Sequence, residues 1–256
     1  LSPEYVLATF DSGRTFRHEA YQEYKATRAE TPEDLRAQFA RIVELTATLG
    51  IPVYTKDGYE ADDLLGTLAT QAAAQGLEAV IVTGDSDTLQ LVGPGIKVYM
   101  PRRSLSDTQL YDAQAVRARY GLEPEQLIDY KAIAGDSSDN IPGVRGVGEK
   151  TATQLLQRYG RLDNIYDHLD EITSGRYRTA LEDGRASAEM SRRLVTIVRD
   201  LDVRLDLGAA RWGEYDRGAA QALLRELGFH ALAQRLMPQA MAPGQQMDLF
   251  APAEHA

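Results

Sequence analysis

Eight carboxylates fall in four short segments of the chain. Asp11 follows the run Tyr5–Phe10. Glu60, Asp62 and Asp63 lie in Gly58-Tyr59-Glu60-Ala61-Asp62-Asp63. Asp85 and Asp87 lie in Thr83-Gly84-Asp85-Ser86-Asp87, and Asp136 and Asp139 in Gly135-Asp136-Ser137-Ser138-Asp139-Asn140. Two acids at a helix start need no more explanation than the helix dipole. Any one pair, taken alone, is most simply a surface cap or turn. Three acids within four residues, repeated in kind elsewhere, point to shared chemistry. If these acids converge, mutual repulsion raises their pKa values unless cations neutralise them. The chain has no cysteine, and no histidine lies in these motifs. Hard oxygen donors of this kind select Mg2+ or Mn2+ over zinc, and so many of them suggest two or more ions. A pair of ions about 4 Å apart can activate a water and stabilise the leaving oxygen of a phosphodiester.

The elements that must position these acids are legible from the hydrophobic pattern. Short apolar runs at 5–10, 51–54, 77–82 and 96–100 predict strands, and helices between them are predicted at 31–49 and 60–75. Strands alternating with helices predict an α/β fold with a mostly parallel central sheet flanked by helices. In such sheets ligands sit beyond the carboxyl ends of the strands. Asp11, the Glu60 group and the Asp85/Asp87 pair all fall there. From about Asp112 the chain turns helical. The expected organisation is an α/β core over 1–112, a helical region over 113–236 and a disordered linker over 237–256.

Two further stretches suit nucleic acid. Between Arg14 and Arg28, Arg17, Lys25 and Arg28 alternate with Phe16, Tyr21 and Tyr24, a spacing suited to phosphates and unstacked bases. A solvated helix with inward aromatics is the plainer reading of that stretch alone. The turn Gly143-Val144-Arg145-Gly146-Val147-Gly148-Glu149-Lys150-Thr151 opens a helix but follows no strand, which excludes a dinucleotide loop. A helix–hairpin–helix over 135–160 that grips duplex backbone fits better. The net charge of −10 opposes such a partner only on average, because a local basic stripe can still bind phosphate. No apolar run approaches the roughly 20 residues needed to span a bilayer, and the absence of cysteine fits an intracellular setting.

The segments VLATFDSGRTFRHEAYQEYKATR, GYEADD, TGDSDTLQL and GDSSDNIPGVRGVGEKTA, in that order, resemble the 5′-nuclease domains of bacterial DNA polymerases I, within the flap endonuclease family. The resemblance runs from about Pro3 to Leu236. It implies a PIN-like core and metal-dependent cleavage of 5′ flaps and of 5′ ends at nicks in branched DNA, as in primer removal and repair. It implies that Asp11, Glu60, Asp62, Asp63, Asp85, Asp87, Asp136 and Asp139 hold two or more Mg2+ or Mn2+ ions. Lys25 and Arg28 would act on the scissile phosphate from a basic arch segment over 14–34. Arg17, Tyr24, Lys25 and Arg28 would contact the single-stranded 5′ end. Gly143, Arg145, Gly146, Gly148, Lys150 and Thr151 would hold the downstream duplex, with K+ bound at the hairpin. A polymerase domain following the chain and a bacterial, nucleoid-associated location are also implied.

The family pattern begins with one further strand bearing an aspartate, and nothing before Leu1 matches it. The expectation is therefore of a fragment short of full activity. In the tail, Gln246, Leu249 and Phe250 of Gln246-Met247-Asp248-Leu249-Phe250 resemble a sliding-clamp anchor, beside the plain reading as linker. Two rivals are a DNA-binding remnant that has lost its chemistry and a compact RNA-cleaving nuclease. Eight retained acids argue against the first, since charges that repel DNA do nothing for a binding module. The hairpin and the chain length argue against the second.

Overall fold

The computed structural model describes residues 1–104 and 107–235. The N-terminal half runs β1 (Ala8–Thr9), α1 (Phe16–Ala20), α2 (Glu33–Thr48), β2 (Val53–Tyr54), α3 (Ala61–Ala74), β3 (Ala79–Val82), a 3-10 segment (Ser86–Leu91), β4 (Ile96–Ser104) and β5 (Asp107–Tyr111). Helices follow: α4 (Ala113–Tyr120), α5 (Gln126–Ala134), α6 (Glu149–Tyr159), α7 (Leu162–Asp167), α8 (Gly175–Asp183), α9 (Arg185–Val195), α10 (Arg217–Glu226) and α11 (His230–Arg235). The α/β class holds, with a helical C-terminal part. The residues expected to anchor a clamp, Gln246, Leu249 and Phe250, lie outside the described residues.

Packing gathers the chain into two units that are not successive lengths of sequence. One contains Leu1–Asp11, Glu30–Thr55 and the described residues from Leu205 on; the other contains Ser12–Ala29 and Lys56–Arg204. In the first unit β1 and β2 pair in parallel, Ala8 beside Val53 and Thr9 beside Tyr54. Its small core joins Ala220, Leu224 and Ala233 to Leu45 of α2 and to Leu49 just beyond it. The helical spacing in α2 predicts a buried stripe, yet Leu35, Phe39, Ile42 and Val43 are exposed. Only the C-terminal turns of that helix pack as the pattern suggests.

In the second unit β3 pairs in parallel with β4, and β4 pairs antiparallel with β5. The described strands thus form two small sheets, with parallel pairing in two of the three ladders. β5 is invisible to the hydrophobic pattern because Asp107, Thr108 and Gln109 are polar. Pairing to β4, rather than its own composition, makes it a strand. The core of this unit is continuous from Ile81, Leu89 and Val98 to Ile133, Leu156, Leu162 and Leu181.

The hairpin between α5 and α6 is fixed by backbone meeting backbone. Gly135 and Gly143 both have positive φ, and a Cβ on Gly143 would stand 2.3 Å from the Gly135 nitrogen and 2.7 Å from the Ile133 carbonyl oxygen. The Val144 N–H donates to the Ile133 carbonyl at 2.7 Å, and Val144 and Val147 are buried. Gly146 also has positive φ but faces open space. Gly143→Ala combines a steric overlap with a left-handed backbone and is expected to cost about 2–4 kcal/mol of unfolding free energy. Gly146→Ala carries only the backbone penalty, about 1 kcal/mol. Urea denaturation of the two variants should separate them in that order.

Candidate active site

The acids are organised by the first turn of α3. Glu60 caps that helix, and its backbone N–H donates to Asp63 Oδ2 at 3.0 Å. Asp63 is completely buried and accepts a bidentate pair from Arg17, at 2.7 Å from Nη1 and 2.8 Å from Nη2. Its Oδ1 also accepts from the Val198 N–H at 2.9 Å. Arg17 in turn donates from Nε to the Leu194 carbonyl and from Nη2 to the Thr196 carbonyl. Burial alone would lower the Arg17 guanidinium, but Asp63 and then Glu60 hold it above its ordinary value. One ion pair therefore joins α1, α3 and the end of α9.

Two of the expected site residues are thus engaged with each other. Arg17 is 2% exposed, with its donors turned onto protein. Asp63 has both oxygens occupied by four donors and is the counter-ion of Arg17. Alternation of basic and aromatic residues looks alike on a buried turn and on a nucleic-acid surface.

A second layer lies against Glu60. Tyr24 is buried, and its hydroxyl lies 3.2 Å from Glu60 Oε2 and 3.1 Å from Asp139 Oδ2. Burial, followed by the charges of Glu60 and Asp139, pushes this phenol well above its ordinary range, so it stays protonated as a donor. Its ring is buried along with that hydroxyl. Lys25 donates to Glu60 Oε1 at 2.8 Å and stands 3.8 Å from Asp139 Oδ2. Arg28 donates from Nη2 to Asp139 Oδ1. Burial would lower the Arg28 guanidinium, but Asp139 outweighs it.

The backbone holds this layer in place. Lys25 and Asn140 are the non-glycine residues with positive φ among the described residues. The Lys25 N–H donates to the Asp139 carbonyl at 2.9 Å, and the Asn140 side chain donates to the Glu23 carbonyl at 2.7 Å. Such left-handed positions persist only where surrounding contacts fix them. Here they clasp the 21–28 turn to the 136–141 loop.

A third group surrounds Lys131, which sequence reasoning did not single out. Its ammonium donates to Asp87 Oδ1 and, at 2.5 Å, to Asp136 Oδ2. Burial pushes Asp87 up to about 6, with Lys131 opposing and Asp85 and Asp136 adding repulsion. Burial would lower Lys131, but Asp87 and Asp136 keep it raised and charged. Burial would likewise raise Asp136; Lys131 and the hydroxyl and N–H of Ser138 outweigh it and hold that carboxyl below its ordinary value. Asp85 Oδ1 accepts from the Asp87 N–H at 2.9 Å, so Asp85 caps the turn that carries Asp87. Lys131 could have been found only as a basic residue one helical turn before an acidic loop, a common and weak signal.

Asp62 is half-buried on the first turn of α3. Asp11 is exposed just beyond β1 and belongs to the first unit, whereas the other seven acids belong to the second. Among the described residues no three carboxylates or imidazoles form a ready ligand set. Glu60 and Asp139 instead face Lys25, and Asp87 and Asp136 face Lys131. The donor chemistry still fits a hard divalent cation. The set is all carboxylate oxygen, it is largely withdrawn from water, and repulsion and burial together leave Asp87 reluctant to ionise.

On the hairpin, Arg145, Gly146, Gly148 and Lys150 are exposed and Thr151 is partly so. Gly143 is not presented outward. It is buried, its carbonyl accepts from Ser187 Oγ at 2.6 Å, and its missing side chain makes room for Gly135 rather than for a phosphate. Beside the hairpin an open groove of about 630 Å³ is lined by Arg145, Gly146, Arg176 and Ser187, among others.

The fold has known counterparts. A bacteriophage T5 D15 flap endonuclease, solved as a pseudo-enzyme–product complex with DNA and metal ions, matches with a TM-score of 0.64. That match is 21% identical and covers 89% of this chain and 79% of the other. The catalytic core of Rad2 in complex with DNA substrate matches at 0.56, with 20% identity over 90% of this chain and 75% of that one. DNA polymerase I of Chloroflexus aurantiacus is 51% identical over 89% of this chain, and that of Bacillus subtilis is 39% identical over 91%. The chain spans about a quarter of the length of these curated relatives, 24% and 27%. Residues 1–121 match the N-terminal resolvase-like domain of the 5′-3′ exonucleases, and residues 122–218 match their C-terminal SAM fold. The chain belongs to the 5′-3′ exonuclease family.

Proposed function

We propose that this chain is a structure-specific 5′-nuclease module that hydrolyses DNA phosphodiesters at 5′ ends and at the base of 5′ flaps. The observation that carries the reading is the gathering of Glu60, Asp87, Asp136 and Asp139 around basic side chains, with Arg28 facing Asp139. A set so rich in negative charge has little use in a protein that only binds DNA. Its use is to hold cations that meet the phosphate.

Glu60, Asp62, Asp85, Asp87, Asp136 and Asp139 are the residues that would hold divalent ions, Mg2+ or Mn2+. When bound, such ions supply a polarised water and charge neutralisation at the scissile phosphate. The chain's own contribution is positioning. Tyr24, as a protonated donor, keeps Glu60 and Asp139 at a fixed separation. Lys25 and Arg28 exchange their carboxylate partners for an incoming phosphate and neutralise it. The exposed Arg145 and Lys150 hold the duplex through its backbone, without reading sequence, and carbonyls of the hairpin offer K+ a site. Residues 1–112 would then carry most of the chemistry, with Asp136 and Asp139 added from the helical region over 113–236, which would also supply the duplex grip. A polymerase domain following it accords with the relatives named above, DNA polymerases I of which this chain spans about a quarter.

Asp85→Asn keeps the oxygen that caps the Asp87 turn but removes a charge. Mg2+-dependent cleavage of a labelled 5′-flap duplex should fall on the order of a hundredfold or more, with duplex affinity in EDTA nearly unchanged. Equal cleavage by the variant would sink the metal assignment. Duplex binding without cleavage by the unsubstituted chain would favour the binding remnant.

The same acids set a pH dependence in the absence of divalent ions. Asp87 has its folded pKa raised to about 6 from 3.8. Its contribution to stability is therefore fully present below about pH 4 and is lost as pH rises through about 6. Asp87→Asn should gain on the wild type by about 2–3 kcal/mol between pH 4 and pH 8. Urea titrations in EDTA at the two pH values read this directly, and a pH-independent difference would contradict it.

A further inference from the structure

Lys131 lies outside every motif that identifies the family, yet it sits between two of the acids just assigned. It projects from α5, one turn before the loop that carries Asp136, and reaches across to Asp87 on the 3-10 segment. Its side chain is 16% exposed, as is that of Asp87, while that of Asp136 is 12% exposed. One ammonium therefore faces two carboxylates in a site that water reaches poorly. A single positive charge leaves the trio net negative, and Asp85, linked to Asp87 through its N–H, adds to the deficit. A divalent ion would neutralise the pair fully. The lysine stem is flexible enough to carry its ammonium back toward solvent when the ion arrives.

We propose that Lys131 is a resident counter-cation that holds Asp87 and Asp136 together before a divalent ion binds and that the ion must displace. This rests on the metal reading of those two acids. It makes Lys131 a positioning residue, one that keeps the ion-free site folded at the expense of ion affinity. Removing the charge should destabilise the ion-free chain and tighten ion binding, opposite effects that a merely structural lysine would not produce together.

The test measures Mn2+ binding to the 256-residue chain by the electron paramagnetic resonance of free Mn2+, with thermal unfolding in EDTA alongside. K131M should bind Mn2+ about tenfold more tightly than wild type, as expected when a competing charge pair is removed. It should also unfold at lower temperature in EDTA and recover that loss when Mn2+ is added. K131R, which keeps the charge, should match wild type in both. Should K131M not fold, K131Q keeps an N–H donor without the charge and carries the same comparison. Wild-type Mn2+ binding that neutral substitution leaves unchanged or weakens would overturn the displacement and leave the metal reading standing. No Mn2+ binding by wild type or variant would overturn the metal reading and the displacement with it.

Discussion

The buried ion pair between Arg17 and Asp63 is the constraint on which the site depends. Asp63 is fully enclosed, and a carboxylate there is tolerable only with a charge partner and with its lone pairs filled. Arg17 supplies the charge and two of the four donors, and the Glu60 and Val198 backbones supply the rest. Because Arg17 also caps carbonyls at Leu194 and Thr196, the pair fixes where α3 begins relative to α1 and to the end of α9. Glu60 inherits its place from that geometry. Tyr24, Lys25 and Asp139 inherit theirs from Glu60.

Moving outward from that pair, the acids become progressively less well compensated. Asp63 has a full set of partners. Glu60 and Asp139 share a phenol and Lys25, with Arg28 on Asp139. Asp87 and Asp136 share one ammonium; Asp136 has Ser138 donors besides, and Asp87 is the one that resists ionisation. This gradient separates structural acids from functional ones more sharply than spacing does. A fully bonded carboxylate has nothing left for an ion, whereas an under-neutralised one such as Asp87 gains from one. Lysine and arginine close the gap without closing the site, since they can turn to another anion.

The acids were easy to find in the sequence because their positions obey strict local rules: a helix cap at Glu60, a turn cap at Asp85, a tight loop at Asp136 to Ile141. Sequence carried the α/β class for the same reason. It failed where side-chain direction decided the outcome. Arg17 and Tyr24 read as nucleic-acid contacts, yet both point into the protein. Gly143 read as a phosphate cradle, yet its room is taken by Gly135. Lys131 carried only a weak signal because its meaning depends on Asp87, which lies 44 residues away in the chain. β5 and the exposed apolar stripe of α2 went unforeseen because pairing and packing, not composition, decide both.

The most direct measurement of the claim that Arg17 and Asp63 act as one unit is a double-mutant cycle in EDTA, read by urea unfolding. Arg17→Met and Asp63→Leu should each cost about 3–5 kcal/mol, because each leaves a buried charge alone. The double variant should recover at least about 2 kcal/mol of the summed loss. Additive losses, or a cost below about 0.5 kcal/mol for either single change, would contradict the account.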